Sequence, residues 1–408
     1  MYFDRTASSY SLNRREFITL TGGICLSASC SRSTQGGIDA FIKRRMEVDH
    51  IPGLAAALIR SGSIVWSGLY GWADLDRKVP MGLDTLLNIG SISKTFTTTA
   101  LMQLWEKDLF DLDDDVSQYL PFAVRHPAHT DAPITFRHLL THRSALRDGP
   151  AYSRHYVCGD PEISLEDWLS SYLTPSGSLY EAGENFEKWP PGARWRYCNV
   201  AYGLVAYLVQ VISATPFAVY CTENVFSPLG MEETSWYLSD IDTTLHAIPY
   251  TWVKEGEARG PDWGGVPLGV IGGGDVSTEG GYRANCLYNH PNFPDGFLRS
   301  SVRQLGKYLA AYLSPDDGKT SGLLRPSTID EMLKEHCRGN GNLRIQGLTW
   351  YGDQRINGEI LWGHRGNDPG INTDVRMVPS LRTAAIVLTN TNGSRPSEIT
   401  KRILQDFL

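Results

Sequence analysis

The stretch Asn88-Ile89-Gly90-Ser91-Ile92-Ser93-Lys94-Thr95-Phe96 decides how the rest of the chain is read. A short apolar run ends at Gly90 and is followed by the first turn of a helix. Ile92, Phe96, Ala100 and Leu104 recur every fourth residue, which gives that helix an apolar stripe. Ser91 and Lys94 are three apart and therefore share one helix face. That spacing sets an amine beside a hydroxyl at the positive end of a helix dipole. A serine hydroxyl is a weak nucleophile until a neighbour removes its proton, and a lysine one turn on does so only if its own pKa is lowered. Taken alone, Ser-x-x-Lys is more often a helix cap followed by a solvated lysine, so the surrounding residues must decide.

Outward from that helix, the flanks read as regular structure. Ile38, Phe41, Ile42 and Met46 mark an amphipathic helix, Leu54–Ile59 a buried strand, Ser61-Gly62 a turn, and Ile64-Val65-Trp66 its hairpin partner. The acidic stretch Leu109–Leu120, ending at Pro121, reads as a helix-to-loop transition. Long Pro/Gly-rich connections then alternate with helices at Phe136–Leu140 and Tyr202–Ile212. Helices at Val302–Leu313 and Thr328–Glu335 follow. Strand-like runs come next at Gly347–Tyr351, Glu359–Trp362, Asp374–Val378 and Ala384–Leu388. Ile399, Ile403, Leu404, Phe407 and Leu408 close the chain on an amphipathic helix. The pattern predicts an α/β fold: an antiparallel sheet flanked by N- and C-terminal helices and interrupted by a mostly helical insertion. The expected division is an α/β part at about 38–110 plus 296–408 and an insertion at about 111–295.

The 408 residues are 41 % hydrophobic and 20 % charged, enough to bury a large core. A net charge of −7 and the lack of a basic run argue against a nucleic-acid partner. No apolar run reaches the ~18 residues of a membrane span. Leu12-Asn13-Arg14-Arg15-Glu16-Phe17-Ile18-Thr19 resembles a twin-arginine export signal, and Leu26-Ser27-Ala28-Ser29-Cys30 resembles a lipoprotein processing box. Residues 1–37 are thus expected to be signal and linker, with export to the bacterial periplasm or envelope and Cys30 as the lipidation candidate. The remaining cysteines, Cys158, Cys198, Cys221, Cys286 and Cys337, show no metal-ligand spacing and are expected to be mostly buried free thiols without a disulfide framework.

Two later motifs bear on Ser91. Tyr197-Cys198-Asn199 lies on a turn before a buried helix and offers a phenol, able to shuttle protons if nearby cations depress its pKa, and an amide. Trp362-Gly363-His364-Arg365-Gly366-Asn367-Asp368-Pro369-Gly370 carries a basic pair between glycines that admit close backbone approach. The pair His138 and His142 most simply packs or solvates.

In this order, Ser91-x-x-Lys94, Tyr197-x-Asn199 and His364-x-Gly366 resemble the serine β-lactamase and penicillin-binding-protein superfamily. The likeness is nearest to its class C β-lactamase-like branch, which also holds D-alanyl peptidases, aminopeptidases and esterases. Ile51-Pro52-Gly53-Leu54, Leu139-Leu140-Thr141-His142, Pro228-Leu229-Gly230-Met231 and Pro369-Gly370 extend it over residues 38–408. Cys198, Arg143-Ser144-Ala145 and His364 depart from the pattern: His364, where true lactamases carry Lys, favours an esterase or peptidase, and the departures around Cys198 and Arg143 keep a catalytically silent binding protein in view.

The resemblance implies a serine hydrolase working through an acyl-enzyme on an ester, a D-amino-acid amide or peptide, or a β-lactam, in that order. Ser91 would attack while Lys94 and Tyr197 share base and acid duty. Burial and a neighbouring cation would lower Lys94. Asn199 would position the acyl group, and His364 would bind a carboxylate or support Tyr197. The oxyanion would rest on the backbone N–H groups of Ser91 and Asn367, beside Gly366. No metal or organic cofactor is required, and the partner is a small acyl substrate. The rival from another class is a catalytically silent envelope binding protein on the same fold. A redox enzyme rests only on the export signal and Gly272-Gly273-Gly274-Asp275, and a Cys198 thiol hydrolase lacks a paired base. Tyr152, Tyr180, Trp189, Trp236, Trp252 and Trp263 are expected to wall the cleft.

Overall fold

The computed structural model describes residues 24–25, 32–255, 281–313, 323–339 and 345–408. Its centre is an antiparallel sheet whose main strands run in the order Ser63–Asp74, Gly53–Arg60, Thr383–Thr389, Ile371–Val378, Glu359–Asp368 and Tyr351–Ile356. In chain order, the first and last of these main strands are neighbours: Leu54 lies opposite Thr389 and Arg60 opposite Thr383. Central strands such as Thr383–Thr389 are buried on both faces, so they read as continuous apolar runs. Two layers of core follow. One face packs against the N-terminal helix Arg32–Val48 and the C-terminal helix Pro396–Phe407 through Ile38, Ile42, Ile399 and Ile403. The other face shares the larger core with the Ser93–Trp105 helix and the elements between residues 111 and 295.

The hairpin turn at Ser61-Gly62 adopts positive φ at both residues, matching the expected break. The strand expected at Gly347–Tyr351 instead lies at Tyr351–Ile356. Leu348 and Trp350 are fully buried beneath a turn closed by a Gly347 N–H bond to the Trp350 carbonyl, so two core plugs imitate strand alternation. The Leu109–Leu120 stretch is turns plus a short 3-10 helix, Val116–Gln118, capped by Asp115.

The cysteine expectation needs correction. Cys158 and Cys286 form a disulfide across 128 residues, while Cys198 and Cys221 are buried thiols and Cys337 is a half-buried one. Pairing of Val157–Cys158 with Tyr288–Asn289 brings the two sulfurs together, a long-range registration that cysteine spacing does not encode. Cys30 and Gly272–Asp275 lie outside the described residues. No single helix among the described residues is long and apolar enough to cross a membrane.

Candidate active site

Ser91 sits in a 3-10 turn, Gly90–Ile92, that feeds the Ser93–Trp105 helix. The expected apolar stripe is there, yet the helix is buried all round from Ser93 to Leu104. Its threonine hydroxyls are all hydrogen-bonded. The hydroxyls of Thr95, Thr98 and Thr99 bond to carbonyls one turn back, and Thr97 bonds to the Pro294 carbonyl.

The turn is held from several sides. Gly90 has φ +56°, and its N–H donates to Asn88 Oδ1 at 2.8 Å. Ser93 Oγ donates to the Gly90 carbonyl at 2.6 Å and accepts from the Leu298 N–H at 3.1 Å. Thr373 Oγ1 donates to the Ile89 carbonyl at 2.7 Å. The Glu359–Asp368 strand crosses directly over the turn. A Cβ at Gly366 would stand 2.2 Å from the Ile89 carbonyl oxygen, which is why residue 366 is glycine.

Lys94 is fully buried, and its Nζ touches three oxygens: Ser91 Oγ at 3.0 Å, Asn199 Oδ1 at 2.7 Å and the Asp295 carbonyl at 2.6 Å. Two of these are obligate acceptors, and the third is a hydroxyl that can also donate. Burial lowers the Lys94 pKa; the carboxylates of Asp295 and Asp148 work against that shift. The expected neighbouring cation is not what depresses it.

Asn199 opens the buried helix Val200–Ser213. The cap comes from Asp148, 51 residues upstream of Asn199. Its carboxylate accepts the Asn199 N–H at 2.8 and 2.9 Å, the Val200 N–H at 3.0 Å and the Cys198 thiol at 3.3 Å. This fixes where Asn199 Oδ1 meets Lys94.

Tyr197 presents its ring 5.0 Å from Lys94 Nζ. Burial raises its pKa, a contact with the Ser91 side chain only partly opposing it, so the expected depression of the phenol is reversed. His142 packs against Tyr197 with ring centroids 4.3 Å apart. Its Nδ1 accepts the Cys198 N–H at 3.3 Å, which leaves the proton on Nε2. His364 has the other tautomer: Nδ1 lies 2.9 Å from the Arg365 carbonyl and must carry the proton, leaving Nε2 as a bare acceptor. Burial, with Lys94 nearby, pushes His364 down to about 3 and His142 well below its usual value, so both rings are neutral. Held neutral, His364 has no positive charge to offer a substrate carboxylate, and the cation lining the same cleft is Arg365.

Ser91, Tyr197, Asn199, His364 and Asn367 line one cleft of ≈ 290 Å³, together with His142, Trp195, Gln346, Tyr351 and Arg365. Lys94 lies beneath it and Gly366 behind it, at the crossing over Ile89. The Tyr351–Ile356 strand pairs only as far as Gly363, so the His364–Asp368 segment runs past it along the cleft. Of the expected wall aromatics, Tyr152 and Trp236 are core, Tyr180, Trp189 and Trp252 stand away from the cleft, and Trp263 lies outside the described residues. The aromatic wall is Trp195, Tyr197 and Tyr351. Sequence reasoning missed Asp148 and Asp295, which carry no local signal because tertiary folding alone brings them to Lys94.

A buried Ser-x-x-Lys helix set against the edge of an antiparallel sheet, with a Tyr-x-Asn turn on its other side, is the arrangement of the serine β-lactamase and penicillin-binding-protein superfamily. The chain belongs to the Beta-lactamase family, whose profile matches residues 38–407. It is 23 % identical over 365 residues to Protein flp of Staphylococcus aureus (strain MRSA252), covering 89 % of this chain and 64 % of that protein's length. It is 29 % identical to Beta-lactamase-like protein 2 of Dictyostelium discoideum over 212 residues, 51 % of this chain and 37 % of the relative. Among solved structures, the octameric penicillin-binding protein homologue from Pyrococcus abyssi superposes with TM-score 0.69 at 23 % identity, covering 90 % of this chain and 76 % of that one. The D-amino acid amidase from Ochrobactrum anthropi SV3, complexed with L-phenylalanine amide, superposes with TM-score 0.66 at 22 % identity, covering 92 % and 98 %.

Proposed function

We propose that this protein is a serine hydrolase that works through a covalent acyl-enzyme. The observation that carries the reading is the contact set of Lys94. A neutral amine has two N–H donors and one lone pair. Asn199 Oδ1 and the Asp295 carbonyl take the two donors, which leaves the lone pair for the Ser91 hydroxyl at 3.0 Å. Burial favours that neutral amine.

The Ser91 proton passes to Lys94 Nζ as Oγ attacks the carbonyl carbon, and the carbonyl π pair moves onto oxygen. That oxyanion rests on the backbone N–H groups of Ser91 and Asn367, where the loss of one donor typically costs roughly 10²–10³ in rate. Tyr197, held as a phenol, relays the proton onward to the leaving group, and water then cleaves the ester by the same groups in reverse. Asn199 and the neutral His364 orient the acyl portion.

The neutral His364 supports esters and D-amino-acid amides over acyl donors held by a carboxylate. The amidase likeness points the same way, while β-lactam turnover ranks last. We also propose that the protein is exported, with residues 1–37 as signal and linker and Cys30 as the lipidation site. The Cys158–Cys286 bond supports export, because disulfides persist in oxidising compartments.

The test is intact-protein mass after exposure to a fluorophosphonate. Wild type should gain one adduct, Ser91→Ala none, and Lys94→Ala should label roughly 10²–10⁴-fold more slowly. A folded wild type that takes no label would sink the acyl-enzyme reading in favour of a catalytically silent binding protein.

A further inference from the structure

Behind Lys94, on the side away from Ser91, lies a carboxyl group for which the mechanism above has no use. Asp295 is 2 % exposed. Its main-chain carbonyl accepts from Lys94 Nζ at 2.6 Å, and its side-chain Oδ2 stands 3.7 Å from the same nitrogen. Oδ2 also accepts the Tyr152 hydroxyl at 2.7 Å. Oδ1 is buried with no hydrogen bond of normal geometry, the Asn292 amide lying alongside it. A buried carboxyl with an unused oxygen is costly to keep unless a charge nearby offsets it. The one ammonium within reach among the described residues is that of Lys94, the charge that proton transfer from Ser91 would place there.

We infer that Asp295 is a positioning residue for the lysine base. Its carbonyl aims the amine at Ser91, and its carboxylate stabilises the ammonium that forms during acylation, as the third member of a Ser91–Lys94–Asp295 chain. This rests on the acyl-enzyme reading. The proton leaves Ser91 Oγ for Lys94 Nζ and goes on to the leaving group; Asp295, pushed by burial up to about 6, acts as the carboxylate above that pH and takes no proton in the step. Tyr152 fixes the carboxylate geometry from the short helix Pro150–Ser153.

Several other groups face the pair, among them the Tyr202 ring, 5.4 Å from Lys94 Nζ, whose hydroxyl bonds to the Leu140 carbonyl and Thr349. Asp148 caps the neighbouring helix, and Tyr197 and Cys198 lie at its start. Tyr156 donates to Asp368 at 2.9 Å, the second carboxyl on that side. His290 packs on Tyr152, and His142 and His364 face Lys94 as neutral rings. Asp148 is committed to two backbone N–H groups, and Asp368 to Tyr156 and Asn88, whereas Asp295 sets Oδ2, fixed by Tyr152, 3.7 Å from the amine and leaves Oδ1 beside the Asn292 amide.

The sign of the pH effect follows. The Asp295 charge raises the Lys94 pKa, so its loss lowers that pKa further. Asp295→Asn and Asp295→Ala both retain the main-chain carbonyl. With each full-length variant, fluorophosphonate labelling rates are measured from pH 5 to 10, with circular dichroism confirming the fold. The expected result is a plateau rate about 10- to 100-fold lower and an acidic limb moved by about half a unit or more to lower pH. A merely structural role would lower the rate without moving the limb, and that outcome would overturn the inference. So would an Asp295→Asn protein with wild-type rate and limb. If wild type takes no label, the acyl-enzyme reading itself fails and Asp295 loses its role with it. Labelled wild type with indifferent Asp295 variants removes only the latter.

Discussion

Gly366→Ala tests whether the strand crossing positions the nucleophile. The added methyl would lie 2.1 Å from Thr373 Oγ1 and 2.2 Å from the Ile89 carbonyl oxygen. Van der Waals contact begins near roughly 3.5 Å, so strand and turn must part by about 1 Å. Thr373 could rotate aside only by giving up its 2.7 Å bond to that same carbonyl, and the carbonyl itself is backbone and cannot yield alone. Ile89 is two residues from Ser91, and Asn367 is the next residue after Gly366. The displacement therefore separates the two N–H groups assigned to the oxyanion. A shift of that size costs about 10²-fold in rate, and loss of one oxyanion donor roughly 10²–10³. Overpacking should also remove about 1–3 kcal/mol of stability. Fluorophosphonate labelling rate and thermal melting, measured in parallel, separate the two effects. Gly183→Ala, where a Cβ meets nothing within 4 Å, serves as the control. A folded Gly366→Ala protein that labels at the wild-type rate would refute the claim that this crossing sets the site.

Three further outcomes are expected. The labelling rate of wild type should rise with pH along a limb lying below the ordinary lysine range, because the active base is the neutral Lys94 that burial favours; a rate independent of pH between 5 and 10 would contradict this. Burial pushes Asp368 up to about 8 from 3.8, so the fold holds its proton more tightly than the unfolded chain does. Its stabilising effect is full below about pH 4 and lost as pH rises through about 8. Asp368→Asn should therefore flatten the fall of melting temperature across that window, and unchanged slopes would count against it. Cys158→Ser opens a loop of 128 residues, which the chain-entropy account values at about 5 kcal/mol; chemical denaturation of the variant should show a loss of that order, and a loss below about 1 kcal/mol would show that the bond adds little.

Local pattern made much of this fold legible. The Gly53–Arg60, Ile371–Val378 and Thr383–Thr389 strands are apolar runs between turn residues, and the terminal helices carry their core faces at helical spacing. The Ser91–Lys94 geometry was equally legible, since three residues on a helix put two side chains together wherever the helix lies. The environment of that pair was not. Asp148, Asp295 and the Cys158–Cys286 bond reach their partners across 50 to 200 residues of chain, and no periodicity marks them. The Leu348 and Trp350 plugs mislead for a related reason: burial under a turn produces the same alternation as a strand. Protonation states failed for one shared cause. The expectations of a cation-depressed Tyr197 phenol and of a His364 that binds a carboxylate or supports Tyr197 leave out burial, which dominates at both, keeping the phenol protonated and the imidazole neutral.

On the proposed acyl-enzyme reading, that dominance of burial also decides which group acts as base. Buried without a compensating charge, a phenol resists becoming a phenolate and an amine resists becoming an ammonium. For Tyr197 this blocks the basic form, since the phenolate is the charged one. For Lys94 it favours the basic form, since the amine is the neutral one. The same low-polarity setting therefore disables one candidate and enables the other. Once the proton arrives, the cost moves to the ammonium, and there the carboxylates on the far side of Lys94 become useful: Asp295 and Asp148 both favour the charged lysine. The same carboxylates oppose a Tyr197 phenolate, so on the proposed acyl-enzyme reading the Ser91 proton goes to Lys94.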